Sequence, residues 1–343
     1  MKINFVDPVK HPGWDELICR RLAGNIFQST AWAKVLKDTY AFTPVYSVLT
    51  EADYPKAIIP LFEVRSLITG KRGVSLPFTD FCNFLTESEA LIPALLDNIF
   101  EYGRQNKWKY VEFRSLFFPY EAAASEIFYT HDIDLSASKE TIWNSLKDTN
   151  RRNIKKAIKE GVKIKFETSL EALKEFYRLQ VMTRKRHGLP PQPFKFFKAI
   201  YENIIAKNLG VIASAYYANK IIASAIYFNF NKEAIFKFGA SDEKYHHLRP
   251  NNLVMWEAIV WHKDKGCHNL NLGRTEQKNE GLLNYKRLWG SKEQLLKYYR
   301  YDMARNSFIV KNQALANFPV LSSRYFPNFL LKIMGNMLYK HFS

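Results

Sequence analysis

Residues 211–230, VIASAYYANKIIASAIYFNF, place two runs rich in β-branched and aromatic residues on either side of Ala218 and Asn219. That pattern predicts an antiparallel hairpin. Residues 45–64, VYSVLTEADYPKAIIPLFEV, repeat it around Glu51, Ala52 and Asp53. After the later hairpin come a strand over Ala234–Ala240, a helix from Pro250 to Lys265 and a strand from Asn269 to Arg274. After the earlier one come a strand over Arg72–Phe84, a helix from Ser88 to Gln105 and a strand from Trp108 to Arg114. Both halves therefore run hairpin, strand, helix, strand. The ends match too, since Glu112-Phe113-Arg114-Ser115 parallels Asn271-Leu272-Gly273-Arg274-Thr275. Two copies of one unit follow, each a mixed sheet flanked by helices, in an α/β (α+β) chain. The expected domains are 1–135 and 136–305, with a helical tail over 306–343.

The bulk composition agrees with two packed domains: 343 residues, 47% hydrophobic and 15% aromatic, fill two ordinary cores. Lys and Arg outnumber Asp and Glu by 50 to 33, a net +17 that attracts RNA, nucleotide-linked substrates or anionic lipid, or serves only as a solvated surface. Cys19, Cys82 and Cys267 lie far apart with no CxxC or Cys/His spacing, which excludes a disulfide framework and a zinc site and fits a reducing compartment. The N-terminal MKINFVDPVKHPGW lacks the apolar core of a signal peptide, and no run is long and apolar enough to span a bilayer. A cytoplasmic protein is expected.

Thr141–Lys165 joins the halves as a basic amphipathic segment. Ile142, Leu146, Ile154 and Ile158 lie on one side, and Arg151, Arg152, Lys155, Lys156, Lys159 and Lys163 elsewhere. It either meets an anion or presents a solvated face. The tail, Pro327–Ser343, spaces Phe329, Leu330, Ile333, Met334, Met337, Leu338 and Phe342 as an amphipathic helix, docked on the protein or lying on the inner membrane face.

No GxSxG, HExxH, Walker loop or GxGxxG is present, which sets aside hydrolases, zinc proteases and nucleotide-driven motors. The densest stretch runs from Phe238 to Ile259. There a strand ends near Gly239 and a helix opens at Pro250, so Arg249 and the first free amides face one point, an anion site in the making. Asn252 either joins that site or caps the helix. Past the next strand come Gly273-Arg274-Thr275 and Tyr285-Lys286-Arg287-Leu288-Trp289-Gly290, where ligands gather in open sheets. Arg184 and His187 precede a proline-rich loop, Leu189-Pro190-Pro191-Gln192-Pro193, where His187 is a general base or a loop hydrogen-bonder.

These pieces resemble the FemAB-like (Fem-type) transferases, in the branch with a GNAT-type second half. The carriers are Gln28-Ser29-Thr30-Ala31-Trp32, Asn150-Arg151-Arg152-Asn153-Ile154-Lys155-Lys156-Ala157 with Gly161-Val162, and the run from Gly239 to Gly290. The resemblance implies tandem GNAT-like folds and acyl transfer, as in members that move an amino acid from aminoacyl-tRNA onto a peptidoglycan precursor. It implies that Arg152 and Lys155 hold the precursor's phosphates and that Lys286, held against Trp289, stabilises the oxyanion. Asp242 and Glu257 are the candidate proton acceptors, and Arg184, His187, Arg249, Asn252, Arg274 and Trp289 complete the substrate-binding set.

Two departures stand out. The coenzyme A loop of ordinary GNAT enzymes would fall at Arg249–Val254, which has no glycine to bring backbone amides to a pyrophosphate. The heptads of a coiled-coil arm are missing as well. No tightly bound cofactor or metal is expected, the donor being aminoacyl-tRNA or acyl-CoA. The acceptor is expected to be an anionic envelope precursor, nucleotide- or lipid-linked. An acyl-CoA enzyme of exopolysaccharide assembly and a non-catalytic RNA- or membrane-binding module are the alternatives.

Overall fold

The computed structural model describes residues 1–52, 54–310 and 326–341, the side chain of Arg21 excepted. In their described residues, two compact units form, Met1–Phe128 with Leu295–Phe318 and Met337–Ser343, and Tyr129–Gln294 with Pro319–Asn336. The division thus falls away from residues 135 and 305. The chain from Leu295 returns to the first unit because its strand pairs there.

The first unit opens with β1 (Lys2–Val6), α1 (Trp14–Arg21) and α2 (Thr30–Tyr40). The Asp15 carboxylate ties the two helices together, accepting from the Thr30 amide at 2.7 Å and its hydroxyl at 2.6 Å. After β2 (Thr43–Pro44) comes the expected hairpin, β3 (Tyr46–Glu51) and β4 (Tyr54–Ile59); Asp53 in its turn lies outside the described residues. The strand expected over Arg72–Phe84 is not a single strand. Instead β5 (Phe62–Ser66) and β6 (Gly70–Val74) form a second hairpin, and β7 (Leu85–Thr86) is short. Between them Leu76 and Phe78 take φ of +57° and +59°, left-handed values that end any strand. Arg114 pins this turn by donating to the carbonyls of Leu76 and Thr79 at 3.2 and 3.3 Å. Then α3 (Ile92–Gln105) packs Leu95, Leu96 and Ile99 against Val111 and Phe113 of β8 (Tyr110–Phe113). Parallel pairing of β6 with β8 stops at Val74–Glu112. Beyond it the turn itself closes the gap, with Cys82 N–H donating to the Arg114 carbonyl at 2.6 Å.

The second unit takes up the chain within β9 (Glu126–Asp134), followed by α4 (Lys139–Ser145), α5 (Asp148–Lys159) and β10 (Lys163–Glu167). Next come α6 (Leu170–Arg186), α7 (Phe194–Asn203) and the hairpin β11 (Gly210–Tyr217) and β12 (Lys220–Phe230). The series closes with β13 (Glu233–Ser241), α8 (Pro250–Asp264), β14 (Asn269–Glu276) and α9 (Glu280–Arg287). Strands β10 to β13 are antiparallel neighbours, and β14 lies parallel to β13. In β13 the register slips by one at Lys237, so that Phe238 faces Ile226 while Phe236 faces Tyr227. A one-residue bulge of this kind sends Phe236 and Phe238 to opposite faces, where strict alternation would keep them together. Phe236 meets Tyr227 in the core under α5 and α8, and Phe238 meets Phe176 and Phe197 under α6 and α7.

In the joining segment Ile142, Leu146 and Ile154 are buried, as expected, but Ile158 is 56% exposed. The chain then passes along β15 (Lys292–Asp302), whose later residues pair with β8, and β16 (Ser307–Phe308). The tail forms α10 (Asn328–Leu338), with Phe342 outside the described residues.

Candidate functional site

The site begins where β13 and β14 part. Their pairing covers Glu233–Ile235 with Asn269–Asn271, yet β13 continues to Ser241 and β14 to Glu276. A strand inside a sheet seldom exposes its middle, but Gly239 is exposed and Phe236, Lys237 and Phe238 are partly so. Without a side chain at Gly239, another backbone can approach this lip closely. In the first unit the equivalent gap is filled by the chain's own turn. In the second it stands open among the described residues.

The β14 lip carries Lys286. Gly273 takes φ of +73°, and its N–H donates to Asn271 Oδ1 at 2.8 Å. The kink turns two carbonyls toward α9, where Lys286 Nζ donates to those of Gly273 at 2.7 Å and Arg274 at 3.2 Å. Only 4% of Lys286 is exposed, so an ammonium sits at a fixed point beside the opening. Trp289 is fully buried and edge-on to Tyr285 at 6.0 Å. The strand carbonyls of Gly273 and Arg274 thus hold the lysine. Nearby, buried His131 hydrogen-bonds Glu293 through Nε2 at 2.9 Å, and Arg287 clasps Glu293 at 2.8 and 3.0 Å. Burial, helped by the Lys286 charge, holds the His131 pKa below its ordinary value.

A second group forms at the start of α8. Arg249 precedes it, exposed, with φ of +60°, and no side chain caps the helix. Asn252 turns inward and donates Nδ2 to Asn150 Oδ1 of α5 at 3.0 Å. Asn150 is fully buried, and among the described residues its own Nδ2 has no partner. α5 likewise lacks a side-chain cap. Two helix starts without side-chain caps, each the positive end of a helix dipole, are therefore joined through one asparagine pair. Arg152 and Lys155 stand exposed on α5. Arg151 instead folds back onto Asp148 and the Asn144 carbonyl.

The remaining predicted residues take local roles. The Asp242 carboxylate accepts from the Lys244 amide at 3.1 Å, capping the 3-10 turn Glu243–Leu248. Glu257, half-buried on α8, has its carboxyl pKa raised by burial, with Lys139 opposing. Arg184 donates to the Pro190 carbonyl at 3.3 Å, and His187 is exposed at the end of α6. Arg274 is half-buried, its carbonyl taken by Lys286.

Sequence reasoning missed the buried polar cluster at the end of β13. Ser241 N–H donates to Thr183 Oγ1 at 3.1 Å, and Ser241 Oγ meets His246 Nε2 at 2.8 Å and Asn251 Nδ2 at 3.3 Å. Burial first, then Arg186 and Arg249, hold the His246 pKa low against Glu243 and Asp242. Thr183 and Ser241 lie 58 positions apart, and no local pattern announces such a pair.

Residues 144–287 match the acetyltransferase (GNAT) domain family. No curated protein matches the chain in sequence. Among solved structures, FemX superposes with a TM-score of 0.69 at 14% identity, covering 93% of this chain and 100% of its own. The L-PGS of Bacillus licheniformis gives 0.53 at 14%, covering 93% and 97%. A tandem GNAT protein from the clavulanic acid biosynthesis pathway gives 0.53 at 9%, covering 88% and 99%. At such identities the likeness is one of fold. The chain thus carries a tandem GNAT fold of the FemX kind, with its GNAT-type domain at residues 144–287.

Proposed function

We propose that the protein is an acyl or aminoacyl transferase that forms an amide on an anionic cell-envelope precursor. The observation that carries this reading is the open split between β13 and β14, with the Lys286 ammonium fixed on its lip. The acyl group of an ester or thioester donor lies in the split, and an amine of the acceptor attacks its carbonyl carbon. The C–N bond forms as the C–O or C–S bond breaks, and Lys286 offsets the charge that gathers on the carbonyl oxygen. The amine gives up its proton to a carboxylate. Glu257, with its raised pKa, suits this role better than Asp242, whose carboxylate is spent on a cap.

Phosphates of donor or acceptor lie at the joined starts of α5 and α8, among Arg152, Lys155, Arg249 and Asn252, with Arg184, His187 and Arg274 nearer the acyl group. Aminoacyl-tRNA is the first choice of donor, since FemX and L-PGS share the fold and the α8 start has no glycine loop. Acyl-CoA is the second, favoured by the GNAT match. Either donor places the work in the cytoplasm.

The test offers charged tRNA or acyl-CoA together with a nucleotide-linked muropeptide and follows acceptor mass. Transfer by the wild-type chain supports the reading. No transfer from either donor, with neither raising the melting temperature, overturns it.

A further inference from the structure

The helix α10 has two apolar faces and uses only one. At about 100° per residue, Leu331 and Gly335 share one side. Leu331 is fully buried, and Gly335 lies so close to the Pro191 carbonyl that a Cβ would sit 2.0 Å from its oxygen. Lys332 reaches over the Tyr177 ring at 5.7 Å. This face docks on the second unit's proline-rich loop. Phe329, Leu330, Ile333 and Met337 fall within about 100° of one another on the opposite side. Their exposures are 62%, 39%, 50% and 63%.

Four large apolar side chains at helical spacing, all facing out, are more than chance exposure explains. The surrounding charge says what covers them. From residue 303 to the end there is no Asp or Glu, while Arg305, Lys311, Arg324, Lys332 and Lys340 supply five cations, in a chain already at +17. An apolar stripe in a wholly basic segment complements a surface that is apolar below and anionic above. The 11 residues of α10 reach about 16 Å, far short of the ~20 residues needed to cross a bilayer, so the helix would lie flat.

We infer that α10 is a membrane-surface anchor that seats Phe329, Leu330, Ile333 and Met337 among the acyl chains of an anionic bilayer, with Lys340 at its phosphates. This goes beyond the transfer reaction and stands whether or not that reading holds. Transfer onto a lipid-linked acceptor would nonetheless profit from it.

The full chain is to be sedimented with vesicles of phosphatidylcholine, with or without phosphatidylglycerol. Binding should be at least ~10-fold tighter to the anionic vesicles and should fade with salt. The double variant Phe329→Ser, Ile333→Ser should lose ~10-fold or more, and Lys340→Glu several-fold, with the melting temperature unchanged in both. Equal binding by wild type and double variant, or equal binding to neutral vesicles, would overturn the inference. So would a melting temperature lowered by the double variant, which would mean the stripe packs within the protein, or a wild-type dimer that the double variant makes monomeric.

Discussion

Replacing Lys286 by Met keeps the length and girth of the side chain while removing its charge, so the two effects of the ammonium can be separated. On stability the terms oppose. The carbonyls of Gly273 and Arg274 lose their donor, at ~1–3 kcal/mol for each acceptor left dry. Against that, a 4% exposed ammonium no longer has to be desolvated, which relieves several kcal/mol. The net change should stay within about 2 kcal/mol, or at most ~8 °C of melting temperature for a unit of this size. On catalysis nothing offsets the loss. Removing one preorganised donor from a developing oxyanion costs ~10²–10³ in rate. Circular dichroism on heating and single-turnover transfer at saturating donor would read the two numbers. A folded Lys286→Met chain that transfers within twofold of wild type would refute the assignment, as would a chain that unfolds, since the opposing terms predict that it should not.

Three further outcomes follow from the geometry. Asn150→Asp keeps the acceptor used by Asn252 but places a fully buried carboxylate at two helix starts; it should lower the melting temperature, since desolvating the charge outweighs the helix dipoles, and weaken pyrophosphate or donor binding by ~10-fold or more, read by calorimetry, whereas unchanged binding would remove the anion site. Glu112, buried between Arg114 and Arg300, has its carboxyl drawn from its ordinary 4.5 down to about 2 by those guanidiniums despite burial. A lowered carboxyl pKa gives stability that is full above the ordinary value and is lost as pH falls toward 2. Glu112 should thus contribute ~3 kcal/mol that fades below pH 4.5, and Glu112→Gln should flatten the first unit's acid unfolding curve in urea titrations. Gly290→Ala combines φ of +69° with a Cβ 2.7 Å from Ser145 Oγ and 3.0 Å from its carbonyl, so the variant should lose ~1–3 kcal/mol in the same titrations.

Much of the second unit could be read from its residues because its elements are locally consistent. The 211–230 hairpin and the helix from Pro250 each fall within a residue or two of the expected bounds, where β-branched runs meet a turn and where proline opens a helix. The strand drawn over Arg72–Phe84 failed because Leu76 and Phe78 take left-handed φ without the glycine or asparagine that usually marks it. Arg114, far along the chain, helps to hold that turn together with Thr79 within it. Ile158 fits the helical period of α5 and yet stays exposed, since period gives a face but not its cover. At the site, Lys286 and Arg249 stood out by position. Asn150 looked like one polar residue in a basic run, and its pairing with Asn252 spans 102 positions. The Thr183–Ser241–His246 cluster is equally a product of tertiary contact.

The central claim, that the split between β13 and β14 presents an acyl carbonyl to an amine beside Lys286, is tested most directly by the mass and chemistry of the product. Wild-type chain, charged tRNA or acyl-CoA, and a nucleotide-linked muropeptide with a free amine should yield an acceptor heavier by one acyl or aminoacyl residue. The new bond should resist neutral hydroxylamine, as an amide does. An acceptor of unchanged mass with every donor, or a product that hydroxylamine cleaves, would contradict it.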